Sequence, residues 1–132
     1  MSLELLTPVG NEILLGLSLL PQQIIGKKIA LHTASSGLPD LQGVRIALVG
    51  VNEHRNSFFP QAPYDVNQFR KAFYELFPGN WNIKIADLGN LPNGEKVEDT
   101  YYALREITYH LKQMNIIPIF IGGSHDLVYP HD

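Results

Sequence analysis

The chain contains no cysteine. Disulfide frameworks, thiolate zinc sites and cysteine nucleophiles are excluded together. The compartment stays open on that count, because a cysteine-free chain suits reducing and oxidising surroundings alike. Long apolar runs are missing too. The densest, Ile13 to Leu20, is interrupted by Gly16 and Ser18 and stopped by Pro21, far short of the roughly 20 residues a spanning helix needs. Glu4 and Glu12 precede it and no Lys or Arg does, so it lacks the basic start of a secretory signal. The expectation is a soluble, cytoplasmic protein with no membrane partner. Positive charge is scarce: 10 Lys and Arg stand against 13 Asp and Glu, for a net charge of −3. Nucleic acid is therefore not expected as a partner, since phosphate binding needs a basic face. Lys27-Lys28 is too short a basic run to alter this.

What is present suits one globular domain: 132 residues, 45% of them hydrophobic. No internal repeat or low-complexity tract divides the chain. Residues 1–43 form an irregular front segment in which Pro8, Gly10, Gly16, Pro21 and Gly26 interrupt short apolar runs. A short helix is expected after Asn11, and the alternation of Ile29, Leu31 and Thr33 suggests a short strand. Residues 44–132 are regular. Val44 to Val51 is a nearly continuous apolar run rich in β-branched residues, as a strand covered on both faces requires. Asp65 and Gln68 form a capping-box pattern, and Val66, Phe69, Ala72, Phe73, Leu76 and Phe77 recur at helical steps on one predicted buried face.

A second strand is predicted over Asn82 to Leu88, then a turn-rich loop over Gly89 to Gly94. A long helix follows from about Lys96 to Met114, with Val97, Tyr101, Leu104, Ile107, Leu111 and Met114 as its apolar stripe and Asn115 as its terminator. A third apolar run spans Ile116 to Ile121. Strands alternating with helices imply a three-layer αβα fold around a short parallel sheet, with right-handed crossovers. Ligands of such sheets bind at the carboxyl ends of the strands. Three stretches meet that criterion: Asn52 to Asn56, Gly89 to Gly94, and Gly122 to Asp126.

The sharpest feature is Gly122-Gly123-Ser124-His125-Asp126. Two glycines after a buried strand permit a tight turn, and a neutral imidazole on such a mount is a competent ligand for a divalent metal. This run resembles the first metal-binding motif, Gly-Gly-x-His, of the ureohydrolase superfamily of arginase, agmatinase and formimidoylglutamase. Upstream, Ala47-Leu48-Val49-Gly50-Val51 is similar to that family's first core strand. Ala62-Pro63, Phe69-Arg70 and Leu76 resemble its Gly-x-Pro, Ile-Arg and Leu pattern, and Asp87-Leu88-Gly89-Asn90 its Asp-Leu-Gly-Asp stretch. The likeness covers about residues 44–129.

That resemblance implies an arginase-like sheet ordered 2-1-3 in its three main strands. It also implies two manganese ions bridged by hydroxide, and a small guanidino, amidino or formimino substrate whose C–N bond is hydrolysed. His125 would be a metal ligand with Asp126 as a weaker helper, and Asn52, Glu53 and Arg55 would border the substrate entrance. The family's later Asp-x-His-x-Asp and Asp-x-Asp motifs do not occur in these 132 residues. The expectation is therefore the N-terminal, truncated part of such an enzyme, inactive alone and binding no manganese tightly. Self-association is expected through the edge of the third strand or through apolar surface.

Two alternatives stand beside this reading. One is a small nucleotide- or phosphate-binding module with Gly122-Gly123-Ser124 cradling an anion. It is weakened by the lack of Gly-x-Gly-x-x-Gly after the first strand and of a Gly-Lys-Ser/Thr loop. The other is a non-catalytic interaction domain.

Overall fold

The computed structural model describes residues 2–51, 66–76, 83–92 and 96–122. Three helices, α1 (Asn11–Ser18), α2 (Val66–Tyr74) and α3 (Val97–Gln113), accompany strands β1 (Ala30–Leu31), β2 (Val44–Val51), β3 (Lys84–Leu91) and β4 (Ile117–Gly122). The strands form one parallel sheet in the order β1-β3-β2-β4. The three strands expected from the sequence are thus arranged as 2-1-3. The front segment contributes β1 at one edge, pairing Ala30 with Ala86 and Leu31 with Asp87.

Strand alternation divides the core between two faces. Ala47, Val49 and Val51 of β2 join Ala86 and Leu88 of β3 beneath Leu104, Ile107 and Leu111 of α3. On the opposite face, Leu48 and Ile85 pack against Phe69 and Phe73 of α2. Tyr74 there meets Ile13 and Leu17 of α1. The helix–sheet–helix layering follows from a β2 whose residues Ala47 to Val51 are all buried: neither face of that strand tolerates water.

Local chemistry sets the element ends. The Lys96 backbone N–H donates to Asp99 Oδ2 at 3.0 Å, closing the first turn of α3. Asn115 takes φ 60°, the left-handed conformation that ends helices, as its place after the apolar stripe predicted.

Three sequence expectations are corrected. The buried line of α2 is Val66, Arg70 and Tyr74, not the apolar series. Phe69 and Phe73 are half-buried, Ala72 is exposed and Leu76 is 56% exposed. The helix is rotated because a charged group and a phenol, rather than the smaller apolar residues, reach inward to partners on β3. Met114 is exposed at the end of α3, whereas Thr100, Ala103 and Thr108 lie inside. Finally, β3 runs on through Gly89, Asn90 and Leu91, where a loop was predicted. The front segment holds the strand in register there: Thr7 N–H donates to Asn90 O at 2.8 Å and Asn90 N–H to Thr7 O at 2.9 Å. Asp65 of the capping pair and Phe77 lie outside the described residues, while Gln68 is exposed on α2.

Candidate functional site

Parallel strands deliver their carboxyl ends to one rim. Gly50 pairs with Asn90 of β3 on one side and Ile121 of β4 on the other, and Val51 pairs with Leu91 and Gly122. The peptide leaving β2 toward Asn52 and the one leaving β4 toward Gly123 therefore start from paired positions in adjacent strands. Gly122 has φ 91°, a conformation that L side chains adopt rarely. The glycine ahead of the Gly-Ser-His-Asp run is thus required by the backbone. Asn52, Glu53, Arg55, His125 and Asp126 themselves lie outside the described residues, as do Gly123 and Ser124.

Directly beneath this rim is a buried polar cluster. Asp87, wholly buried in β3, receives Arg70 Nε on Oδ2 at 2.8 Å and Arg70 Nη2 on Oδ1 at 2.9 Å. Its Oδ1 also accepts the Gly89 backbone N–H at 3.0 Å, and its Oδ2 the Tyr74 hydroxyl. Arg70, only 2% exposed, spends its remaining donors at the strand end: Nη1 to Asn90 Oδ1 at 2.7 Å and Nη2 to Gly89 O at 3.0 Å. A carboxylate and a guanidinium survive burial only when paired and hydrogen-bonded in this way. The planar two-pronged contact is one that Arg makes and Lys does not.

Electrostatics follow the geometry. Burial raises the Tyr74 phenol well above its ordinary value, and the neighbouring Asp87 charge raises it further. Burial alone would lower the Arg70 guanidinium. The hydrogen bond and charge of Asp87 outweigh it, so the group is raised and stays ionised. The cluster is therefore fixed in one state: Arg70 charged and Tyr74 protonated. Its chemistry is positional.

It fixes the rim by close packing. A Cβ on Gly50 would collide with the Asn90 side-chain oxygen, and with Val66 Cγ1 at 2.7 Å. A Cβ on Gly89, at φ 92°, would collide with the Thr7 carbonyl. His32 completes the support: its backbone N–H donates to Asp87 O at 3.0 Å, and its Nδ1 lies 2.9 Å from Leu88 O. With a carbonyl as partner, Nδ1 must carry the proton.

In the sequence Arg70 and Asp87 stand only as parts of separate patterns, and nothing there joins His32 to them. The signal lay in β3 itself: Asp87 interrupts the apolar residues Ile85, Ala86 and Leu88, and a carboxylate so placed demands a cationic partner. Arg70 and Tyr74, four residues apart on α2, were the candidates at matching helical spacing.

Among the described residues, no group of three or more His, Cys, Asp or Glu side chains could hold a metal ion. His125 and Asp126, the donors that the sequence offers, do not suit a pair of dications, which needs several carboxylates to hold and neutralise it. No catalytic step through manganese is derived from this chain. Nor does α3 offer an anion site, since Glu98 and Asp99 occupy its first turn. Among the described residues, no helix is long and apolar enough to cross a membrane.

Comparison with protein-family models, curated proteins and solved structures found no match.

Proposed function

We propose that this chain is the N-terminal portion of a manganese-dependent, ureohydrolase-like enzyme. Such an enzyme cleaves a guanidino, amidino or formimino C–N bond of a small substrate in the cytoplasm, where this protein would reside, and this portion is inactive alone. The observation that carries the reading is the rim. β2 and β4 end in register at Val51 and Gly122, and Gly122, at φ 91°, immediately precedes Gly123-Ser124-His125-Asp126. In a parallel sheet this is where ligands bind. The strand order, with β2 between β3 and β4, agrees with the arrangement the resemblance implies.

In this reading the hydrolytic nucleophile would come from two ions held mostly by ligands that these 132 residues do not supply. His125 would be one ligand, Asp126 a weaker one, and Asn52, Glu53 and Arg55 would border the substrate. The described residues do the positioning. Arg70, Asp87, Tyr74 and Asn90 hold the end of β3, and Gly50 lets Asn90 approach.

The test is hydrolysis together with ligand-dependent stability. Incubation with Mn²⁺ and guanidino, amidino or formimino substrates is expected to release no urea, ammonia or formamide above background. Nucleotides are expected to leave the melting temperature unchanged. Turnover abolished by His125→Ala would overturn the inactive-fragment reading. Stabilisation by nucleotides and not by Mn²⁺ would overturn the hydrolase reading in favour of a phosphate-binding module.

A further inference from the structure

A cleft of about 180 Å³ opens between α1 and α2. Ile13 and Leu17 of α1 and Tyr74 of α2 give it an apolar lining, and Glu12, Lys71 and Glu75 are its charged residues. Val66 meets Gly50 at the rim. Tyr74 follows about 12 Å further along the helix, so the cleft belongs to the other end of α2.

Two glycines show that the cleft is built into the fold. Outside it, a Cβ on Gly26 would stand 2.6 Å from Tyr74 Cβ and 2.7 Å from Leu17 Cδ1. The front segment thus passes as close to the lining side chains as glycine allows, and Asp87 holds the Tyr74 hydroxyl. The lining is fixed before any ligand arrives, which spares the cost of ordering it. Gly16 is the opposite case. It lies inside α1 and lines the cleft, it is not among the glycines of positive φ, and a Cβ on it would meet nothing within 4 Å. Glycine weakens a helix interior relative to alanine, and neither backbone nor packing requires it at this position. Its effect is to keep the cleft open.

Size and charge select the occupant. A cavity of about 150 Å³ takes a benzene ring, so this one accommodates a group of that size on a short stem. Lys71 can neutralise one of Glu12 and Glu75 and leaves the other over. Glu75 also follows directly on the last residue of α2, where the carbonyl end of a helix favours a cation and disfavours a carboxylate. The surplus is one negative charge beside an apolar lining.

We infer that the cleft between α1 and α2 binds a small organic monocation, an ammonium group on a short apolar stem. The stem lies against Ile13, Leu17 and Tyr74, and the ammonium beside Glu12 and Glu75. This inference does not rest on the hydrolase reading.

Titration with 2-phenylethylammonium, followed through the methyl NMR signals of Ile13 and Leu17, tests it. Saturable shifts are expected with a Kd of about 1 mM or tighter, weakened by added salt. Phenylacetate, similar in size and opposite in charge, should bind at least about tenfold more weakly. Gly16→Leu fills the open space and should weaken binding at least about tenfold. Its melting temperature should not fall, because leucine favours a helix more than glycine does. Glu12→Gln combined with Glu75→Gln, both at exposed positions, should weaken binding about threefold and serves if Gly16→Leu folds poorly. The inference is overturned by the absence of saturable shifts in the millimolar range, by equal binding of phenylacetate, or by unchanged binding in either folded variant. Methyl shifts produced by raising the protein concentration alone would overturn it in favour of a second copy of the chain.

Discussion

Replacing Asp87 by Asn tests the buried cluster most severely, because it preserves shape and removes one charge. In the native chain Asp87 accepts four hydrogen bonds, two of them from Arg70 at 2.8 and 2.9 Å. An asparagine has one acceptor oxygen, and its NH₂ group would confront donors. Arg70, 2% exposed, would then be a buried cation with no counter-charge. Breaking a buried pair from one side costs about 3–5 kcal/mol, a large part of the roughly 5–15 kcal/mol that holds a domain together. Urea denaturation followed by circular dichroism should show the midpoint falling by that free energy divided by an unchanged slope. Removing the orphaned cation as well, in Arg70→Met with Asp87→Asn, should recover part of the loss, because paired apolar replacement of buried ions is often close to neutral. An Asp87→Asn variant within about 1 kcal/mol of wild type, or a double variant no more stable than the single, would refute the cluster as the fold's internal lock.

Tyr74→Phe should cost about 1–2 kcal/mol by urea denaturation, since Asp87 keeps its other three donors. The Tyr74 phenol is raised in the folded state, so its stabilisation is fully present below the ordinary value of about 10. It fades as alkali ionises the unfolded chain first; stability should fall above that pH, less steeply in Tyr74→Phe, by thermal melts across the range. Gly89→Ala combines a positive φ with a collision against the Thr7 carbonyl. Hydrogen exchange should show it exposing the Thr7 and Asn90 amides while α3 stays protected, and unaltered exchange at both amides would contradict the packing described.

How much of this was legible beforehand depended on whether a residue's role was local. β2 was readable in full because a strand covered on both faces leaves a nearly continuous apolar trace, here from Val44 to Val51 with Arg45 its one charged residue. α3 was readable because its stripe repeats over 17 residues, and Asn115 because a chain reversal after a helix needs an αL-tolerant residue. The rotation of α2 was hidden by its chemistry. Apolar periodicity pointed to Phe69, Ala72 and Leu76, while the true inward line used Arg70 and Tyr74, whose burial makes sense only once Asp87 stands opposite, 17 and 13 residues away in sequence. The extension of β3 through Asn90 was hidden likewise, because its partner is Thr7, 83 residues distant. The rim was predicted from the carboxyl ends of the expected strands, and the ends of β2 at Val51 and β4 at Gly122 lie where the apolar runs stop. The residues expected to carry chemistry there, His125 above all, remain expectations from the sequence.

Manganese binding tests that expectation most directly. An EPR titration of Mn²⁺ into the chain should show one weak site, because His125 with Asp126 falls short of the three or four ligands that a tight site needs. His125→Ala should abolish that site, and His110→Ala, on half-buried His110 of α3, should leave it intact. Equal manganese binding by wild type and His125→Ala would contradict the assignment of this rim to a metal-dependent hydrolase.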